Sequence, residues 1–216
     1  MKRIEPGAQW SRVRIVGEPT AEEISEHLTE DELAVIASFR MDDRKREWAA
    51  TRIAAKLLAI DLRLCTLPRD CSIPTHSERP FLRLLGEIEN VPHCSLSHSG
   101  GFGAAIIDDT PVGIDLQELT EIQPRTQKYF LNDDERPIAD DVSIAEPLLH
   151  LWAAKEAVWK LEPGEGWYRS GRVVLERETS DGLILEFRRE ATRGTVETRR
   201  LDERFVLAVA MPSRGS

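Results

Sequence analysis

The sequence predicts an α+β fold built from two similar lobes. Two helical segments, Trp48–Lys56 and Trp152–Lys160, share the pattern W-A-A-x5-K at an offset of 104 residues. Two apolar strand segments, Phe102–Ile106 and Phe205–Val209, match at an offset of 103 residues. A helix and a strand that recur at nearly one offset indicate a duplicated unit, although Ala-rich helices also match each other by chance.

The duplication predicts lobes at residues 1–108 and 109–216 that are related by pseudo-twofold symmetry. Such symmetry would bring the two related helices close together, and a ligand site between the lobes would follow naturally. A chain of 216 residues is long enough to bury a substantial core in this arrangement.

In the first lobe, alternating apolar residues predict a strand at Trp10–Val16. A helix over Thr29–Phe39 begins with a capping box, a threonine followed three residues later by a glutamate. A longer helix rich in Ala, Leu, Lys and Arg is predicted over Asp43–Leu64. Three prolines make residues 65–80 mostly loop, and the apolar run Phe102–Asp108 predicts a strand.

In the second lobe, a strand at Val112–Gln117 is followed by a short helix near Arg125–Phe130. A long helix begins near Pro147, a favourable first helical residue, and ends at Pro163-Gly164. The remaining segments predict an antiparallel meander of four strands, Arg172–Glu178, Leu183–Arg188, Thr195–Arg200 and Phe205–Met211, with a turn at Ser180-Asp181-Gly182.

The composition excludes some classes of function. With 29 basic and 38 acidic residues, the chain has a formal net charge of −9, which argues against non-specific binding to nucleic acid or to an anionic membrane. The three cysteines have no CxxC spacing, and free thiols in a reducing compartment are the simplest interpretation. The sequence shows neither a signal peptide nor a membrane span, so we expect a cytoplasmic protein.

The segment Trp152–Lys160 is the most informative part of the second long helix. At 100° per residue its apolar side chains form one stripe, and Lys155 points into the middle of it. Glu156 and Lys160 are four residues apart and lie together at the edge of that stripe. Because a buried ammonium needs an anion, the partner of Lys155 is Glu156, another protein carboxylate or a bound anionic ligand.

Two further segments are candidates for a site. On the predicted strand, Gly113, Asp115 and Gln117 share one face, where the missing side chain of the glycine would let a ligand approach. An edge strand with a solvated polar face is the alternative. Ser95–Gly103 reads as a glycine-rich turn whose backbone, serines and histidine suit phosphate contact. A nucleophilic Ser–His pair and a plain loop are the alternatives there.

Together these segments resemble the 4′-phosphopantetheinyl transferases, specifically the two-lobed, surfactin-synthetase-activating type. Residues 113–117 match the family's G-[IV]-D-x-E strand, with Gln117 in place of the last carboxylate. Residues 152–160 match its W-x-x-K-E-[SA]-x-x-K helix in full. Weaker matches fall in the expected order: Arg46–Arg52 with its two arginines, Ser77–Pro80 for the G-K-P turn, Ser97–Ser99 for the S-H-S turn, and Tyr129-Phe130 followed by Glu135.

The resemblance implies that coenzyme A binds between the lobes with Mg²⁺ or Mn²⁺ on its pyrophosphate. The implied metal ligands are Asp115, Gln117 and Glu156. The implied contacts to coenzyme A are Ser97, His98, Lys155 and Lys160 on its phosphates and Arg46, Arg52 and Arg79 toward its 3′-phosphate.

The implied reaction moves 4′-phosphopantetheine to a serine of an acyl or peptidyl carrier protein and releases 3′,5′-ADP. Glu156, or a water that it holds, would act as general base, and Lys160 would neutralise charge on the leaving phosphate. We expect a monomer without nucleic-acid or membrane partners. The alternatives are a relative that binds coenzyme A or a carrier without turnover, and an unrelated α+β protein with coincidental motifs.

Overall fold

The computed structural model describes residues 2–4, 10–76, 79–84, 92–162, 172–179, 182–189 and 192–213. The chain forms two compact units, an N-terminal unit at Met1–Pro111 and a C-terminal unit at Val112–Ser216. Each unit contains helices and an antiparallel sheet, so the predicted α+β class is confirmed. The pseudo-twofold relation of the two lobes stays a prediction.

The N-terminal unit contains a four-stranded antiparallel sheet in the order β1-β2-β8-β7. Its strands are β1 (Lys2–Ile4), β2 (Val13–Gly17), β7 (His93–Ser99) and β8 (Phe102–Asp108). Its helices are α1 (Ala21–His27), α2 (Glu30–Ala37) and α3 (Asp42–Asp61). Four two-residue strands form two small ladders, β3 (Cys71–Ser72) with β6 (Arg83–Leu84) and β4 (Thr75–His76) with β5 (Arg79–Pro80).

The long helix α3 packs directly on strand β8. Ala49, Ala50 and Ile53 on its inner face are fully buried. A side chain at Gly103 of β8 would overlap the backbone of α3, since its Cβ would come within 2.2 Å of the Thr51 nitrogen. Small residues on both elements therefore let the backbone of α3 lie close to strand β8.

The C-terminal unit contains a five-stranded antiparallel sheet in the order β10-β11-β12-β13-β9. Its strands are β9 (Gly113–Glu118), β10 (Arg172–Thr179), β11 (Gly182–Arg189), β12 (Thr192–Leu201) and β13 (Phe205–Pro212). Its helices are α4 (Pro124–Phe130), α5 (Arg136–Ala139) and α6 (Pro147–Leu161). A 3₁₀ turn at Asp133–Glu135 lies between α4 and α5.

Helix α6 packs on the sheet of this unit in the same manner. Ala153, Ala154 and Ala157 are fully buried in the apolar core. A Cβ at Gly113 of β9 would lie 1.9 Å from the Ala157 carbonyl oxygen. The expectation that Gly113 leaves room for a ligand is therefore wrong, because the α6 backbone fills that space.

Most predicted elements are confirmed, with shifts of a few residues at their ends. The predicted loop at Ser95–Gly103 is wrong, because residues 93–99 form strand β7 and only Gly100-Gly101 turns, with φ of 56° and 81°. Ser95 and Ser97 are the buried residues of that strand. Because its inward side chains are polar, the sequence lacks the alternation of buried apolar and exposed polar residues that usually indicates a strand. Helix α1 was not predicted. Among the described residues, no helix is long and apolar enough to cross a membrane.

Three predicted segments lie partly or wholly outside the described residues. They are the first half of the Ser77–Pro80 turn, the helix stop at Pro163-Gly164 and the first two residues of the Ser180-Asp181-Gly182 turn.

Candidate active site

Four polar residues of the C-terminal unit meet where β9 runs beside α6; we call Asp115, Gln117, Glu156 and Lys160 the acidic cluster. Lys160 Nζ donates a hydrogen bond to Asp115 Oδ1 at 2.5 Å and lies 3.9 Å from Glu156 Oε2. Gln117 Nε2 donates to Asp115 Oδ2 at 2.7 Å. Asp115 and Gln117 therefore meet as the strand alternation predicts, and Glu156 and Lys160 meet as the four-residue helical spacing predicts.

The local sequence explains this geometry. Asp115 and Gln117 are two residues apart on a strand, so both face α6. Glu156 and Lys160 are one turn apart on α6, so both face β9. Gly113, two residues before Asp115, allows the backbones of strand and helix to touch, and this contact brings the side chains of the two elements within hydrogen-bonding distance.

The two carboxylates of the acidic cluster differ in their surroundings. The Asp115 side chain is 1% exposed and the Glu156 side chain is 19% exposed. Burial, and after it the Asp115 charge, raise the pKa of Glu156 from 4.5 to about 7, and the Lys160 charge opposes this shift. A carboxyl group that exchanges its proton near neutral pH is suited to general acid–base chemistry.

Lys155 is a buried neighbour of the acidic cluster and not a member of it. Its ammonium lies 2.5 Å from Glu135 Oε2, and both side chains are almost fully buried. It also donates to the Phe130 carbonyl oxygen. Of the three partners that the sequence left open, the structure shows another protein carboxylate. The expected phosphate contact of Lys155 is corrected accordingly, because Glu135 and the Phe130 carbonyl enclose its ammonium.

The N-terminal unit has a small cavity of about 170 Å³, which we call the basic pocket. Sequence-predicted residues Arg52, Ser97 and His98 line it, as do Thr51, Thr75, Pro80 and Leu96. Its volume is below the ~300–1,000 Å³ of typical ligand pockets, so it fits one phosphate-sized part of a ligand.

Arg52 gives the basic pocket its charge. Its guanidinium stacks on the Trp48 ring, 4.0 Å from the ring centroid, and donates to the hydroxyls of Thr51 at 3.0 Å and Thr75 at 3.2 Å. Burial lowers the pKa of Arg52 to about 10, which leaves it charged at neutral pH.

Of the other predicted contacts to coenzyme A in the N-terminal unit, His98 lines the basic pocket, whereas Arg46 and Arg79 do not. His98 is 56% exposed at the rim of the basic pocket, with Nδ1 3.3 Å from Glu47 Oε2. Arg46 forms an ion pair with Asp43 on an exposed part of α3, and Arg79 is exposed on β5. Neither of these arginines lines the basic pocket.

Sequence reasoning missed the two threonines of the basic pocket. Thr51 and Thr75 hold the Arg52 guanidinium through their hydroxyls. Thr51 could have been found from the sequence, because it directly precedes Arg52 on α3. Thr75 had no such signal, because it lies on β4, 23 residues after Arg52 in the sequence.

The acidic cluster supplies hard oxygen ligands. No group of three or more His, Cys, Asp or Glu side chains in metal-binding range is found in the part of the chain that the structure describes. Two carboxylates nevertheless fit Mg²⁺, which takes one or two of them and completes its octahedron with water and substrate phosphate oxygens. The residues present therefore fit a cation that binds together with a phosphorylated ligand.

The basic pocket of the N-terminal unit offers a buried guanidinium to one anionic group. Taken by itself, the C-terminal unit places two carboxylates and a lysine together, a set of groups that suits a cation and a phosphorylated ligand. Residues 111–210 match the family model of the 4′-phosphopantetheinyl transferase superfamily. The 4′-phosphopantetheinyl transferase psf-1 of Bacillus pumilus is 32% identical over 121 residues, which are 54% of this chain and 52% of that protein. The chain thus spans about half the length of this curated relative. This match confirms the family resemblance for residues 111–210, and those residues contain the whole acidic cluster.

Proposed function

We propose that the protein is an enzyme that transfers 4′-phosphopantetheine from coenzyme A to a serine of an acyl or peptidyl carrier protein. The acidic cluster is the observation that carries this proposal. It combines a carboxyl group whose pKa is raised to about 7, a second carboxylate and a lysine within a segment that matches the transferase superfamily. Those are the groups that a phosphate-directed displacement requires.

Glu156 acts as the general base, directly or through a water molecule. It takes the proton of the carrier serine hydroxyl as that oxygen attacks the β-phosphorus of coenzyme A. A new P–O bond forms to the serine oxygen, the pyrophosphate bridge bond breaks, and 3′,5′-ADP leaves with the bonding electrons. Lys160, with a 20% exposed side chain, neutralises charge that develops on the leaving phosphate.

Asp115 and Glu156 would hold a Mg²⁺ or Mn²⁺ ion. When bound, that ion supplies Lewis-acid polarisation of the phosphate oxygens. Gln117 supports this role indirectly, because its amide donates to Asp115 Oδ2 and fixes the orientation of that carboxylate.

The basic pocket binds one anionic group of coenzyme A. Arg52 is its main cation, fixed by Trp48 and two threonine hydroxyls before any ligand arrives. Preorganisation of this kind reduces the entropy cost of binding. Ser97 and His98 add donors from β7 at the same pocket.

A relative that binds coenzyme A or a carrier without turnover is the second candidate function. Gln117 favours it, because an amide brings no negative charge to the cation. The raised pKa of Glu156 favours the enzyme, since proton exchange near pH 7 serves catalysis more than simple binding. We further propose a cytoplasmic monomer that acts without nucleic acid or membrane, in keeping with its net charge of −9.

Transfer to a carrier is tested by mass spectrometry. The protein is incubated with coenzyme A, Mg²⁺ and an apo-carrier, and we expect the carrier to gain one phosphopantetheine group. Asp115→Ala and Glu156→Ala should lower kcat by about 10²–10⁴-fold, and Gln117→Ala by less than about tenfold. Coenzyme A binding without a mass increase would favour the second candidate function, and equal small losses in all three variants would remove the metal assignment.

A further inference from the structure

The Asp115 carboxylate is already held at both of its oxygens. Lys160 Nζ lies 2.5 Å from Oδ1 and Gln117 Nε2 lies 2.7 Å from Oδ2. Because the Asp115 side chain is 1% exposed, water contributes little to its solvation. The Lys160 ammonium brings a positive charge directly to this buried carboxylate.

Lys160 also faces the second carboxylate of the acidic cluster. Its Nζ is 3.9 Å from Glu156 Oε2, so the ammonium lies within ion-pair distance of both acids. A Mg²⁺ ion held by Asp115 and Glu156 would need their oxygens in place of this ammonium, because Mg²⁺ takes oxygen ligands at about 2.0–2.1 Å. It would have to occupy the region that the ammonium occupies, and the like charges would repel each other strongly at that distance.

We propose that Lys160 is the internal counter-ion of the metal-free acidic cluster, and that a divalent cation binds Asp115 by displacing it toward a substrate phosphate. This inference rests on the proposed function, which supplies the cation and the phosphate. Gln117 keeps its bond to Oδ2 during the exchange, so Asp115 retains its orientation. A lysine suits this movement because its ammonium is a point charge on a flexible four-carbon stem.

The corresponding lysine of the other unit shows what a permanently fixed ammonium looks like. Lys56 Nζ contacts Glu32 at 2.9 Å, the Pro68 carbonyl at 3.0 Å and the Cys71 carbonyl at 2.5 Å, and its side chain is fully buried. Lys160 has a 20% exposed side chain and two carboxylate neighbours. Its environment allows the ammonium to leave Asp115, while that of Lys56 does not.

Displacement makes binding of the cation and of the phosphate cooperative. A cation that binds alone must leave Lys160 without an anion, whereas a bound phosphate receives the displaced ammonium. Each ligand should therefore raise the affinity for the other by the same factor. Because a cation that binds alone must displace Lys160 from Asp115, we expect it to bind weakly in the absence of coenzyme A.

The test is calorimetric titration with Mn²⁺ of the wild-type protein, Lys160→Met and the matched control Lys45→Met. Lys45 belongs to the N-terminal unit and forms an exposed ion pair with Asp42, so its replacement removes one positive charge without changing a residue of the acidic cluster. Without coenzyme A, we expect Lys160→Met to bind Mn²⁺ at least about tenfold more tightly than wild type, equivalent to about 1.4 kcal/mol. Lys45→Met should bind as wild type does. Coenzyme A should tighten Mn²⁺ binding more in wild type than in Lys160→Met.

Equal or weaker Mn²⁺ affinity of Lys160→Met would overturn the displacement while leaving the proposed function intact, provided that wild type binds Mn²⁺ with coenzyme A. Absence of Mn²⁺ binding to wild type even with coenzyme A would remove both the metal assignment and the displacement. Lys160→Gln, a polar replacement that also removes the charge, should reproduce the Lys160→Met result if Met alters the packing of α6.

Discussion

The central helices of the two units carry one sequence pattern but use its charged positions differently. Arg52 and Lys56 of α3 occupy the same positions in the W-A-A-x5-K pattern as Glu156 and Lys160 of α6. In the N-terminal unit, the first position is a cation that lines the basic pocket. In the C-terminal unit it is a carboxylate of the acidic cluster. The same pattern position thus carries a positive charge in one unit and a negative charge in the other, and the proposed function uses the first for an anion and the second for a cation.

Both units also contain a buried lysine–glutamate pair. Lys56 pairs with Glu32 at 2.9 Å, and Lys155 pairs with Glu135 at 2.5 Å. Each glutamate is the N3 residue of a capping box, at an offset of 103 residues. The glutamate positions therefore correspond between the units, whereas the lysine positions do not.

In the C-terminal unit, different lysines contact the buried glutamate and the acidic cluster. In the N-terminal unit, the last lysine of the pattern, Lys56, balances the buried glutamate. In the C-terminal unit, Lys155 takes over that task, and Lys160 instead contacts Asp115. Lys155 thus neutralises the buried Glu135, and Lys160 is left to contact Asp115 in the acidic cluster.

The largest expected effect comes from removing one partner of a buried pair. Glu32→Ala and Glu135→Ala each leave a buried ammonium without its carboxylate, and each should lower the free energy of unfolding by about 3–5 kcal/mol. Denaturant titration of the two variants measures this cost. The double variant Glu135→Leu with Lys155→Met should recover most of the stability, because no charge remains buried. A severe loss in one unit and none in the other would break the equivalence of the two pairs.

The last lysine of the pattern should matter unequally for stability in the two units. Lys56→Met leaves Glu32 buried and uncompensated, and it should cost about 3 kcal/mol or more. Lys160→Met also removes the cation beside the buried Asp115, but Gln117 still donates to Oδ2 and water can enter the 20% exposed position of Lys160. The cost should therefore be smaller, about 2 kcal/mol in metal-free protein. Urea unfolding of both variants under one buffer condition gives the comparison. Similar losses would show that Lys160 is as structural as Lys56.

Glu156 should make the metal-free protein less stable as the pH rises. Its folded-state pKa of about 7 lies above the ordinary value of 4.5, so the folded protein binds an extra proton between those values. Stability is therefore lost as the pH rises through this window. Relative to wild type, Glu156→Gln should gain on the order of 2 kcal/mol between pH 5 and pH 8 in the presence of a chelator. A stability difference that does not change with pH would contradict the raised pKa.

The smallest expected effect concerns the capping box that holds Glu32. The Thr29 hydroxyl accepts a hydrogen bond from the Glu32 backbone N–H, and the Thr29 backbone N–H donates one to the Glu32 carboxylate. Thr29→Ala should cost about 1 kcal/mol of unfolding free energy, and Thr29→Ser should restore most of it. Thermal unfolding of both variants measures the effect. A loss as large as that of Glu32→Ala would mean that the cap, and not the ion pair, dominates.

Local patterns in the sequence predicted the elements that carry the acidic cluster. Helical spacing put Glu156 beside Lys160, and strand alternation put Asp115 beside Gln117. Both relations depend only on residues a few positions apart, which the geometry of one helix or one strand determines. The long helices α3 and α6 were predicted for the same reason.

Long-range pairings lay beyond the sequence patterns. Nothing local indicates that Glu135 meets Lys155 or that Thr75 meets Arg52, because each pairing depends on how separate elements pack. Strand β7 was missed since its buried residues Ser95 and Ser97 are polar, which reverses the usual alternation. The space beside Gly113 was assigned to a ligand because the approach of α6 was not foreseen.

The most direct test of the two-site account is steady-state transfer kinetics with coenzyme A for Arg52→Gln and Glu156→Gln, after unfolding curves confirm that both variants are folded. The account predicts that Arg52→Gln raises KM for coenzyme A with little change in kcat, since the basic pocket binds and does not react. It predicts that Glu156→Gln lowers kcat by about 10²-fold or more. A fall in kcat of similar size in both variants, or a Glu156→Gln variant that retains the wild-type kcat, would contradict it.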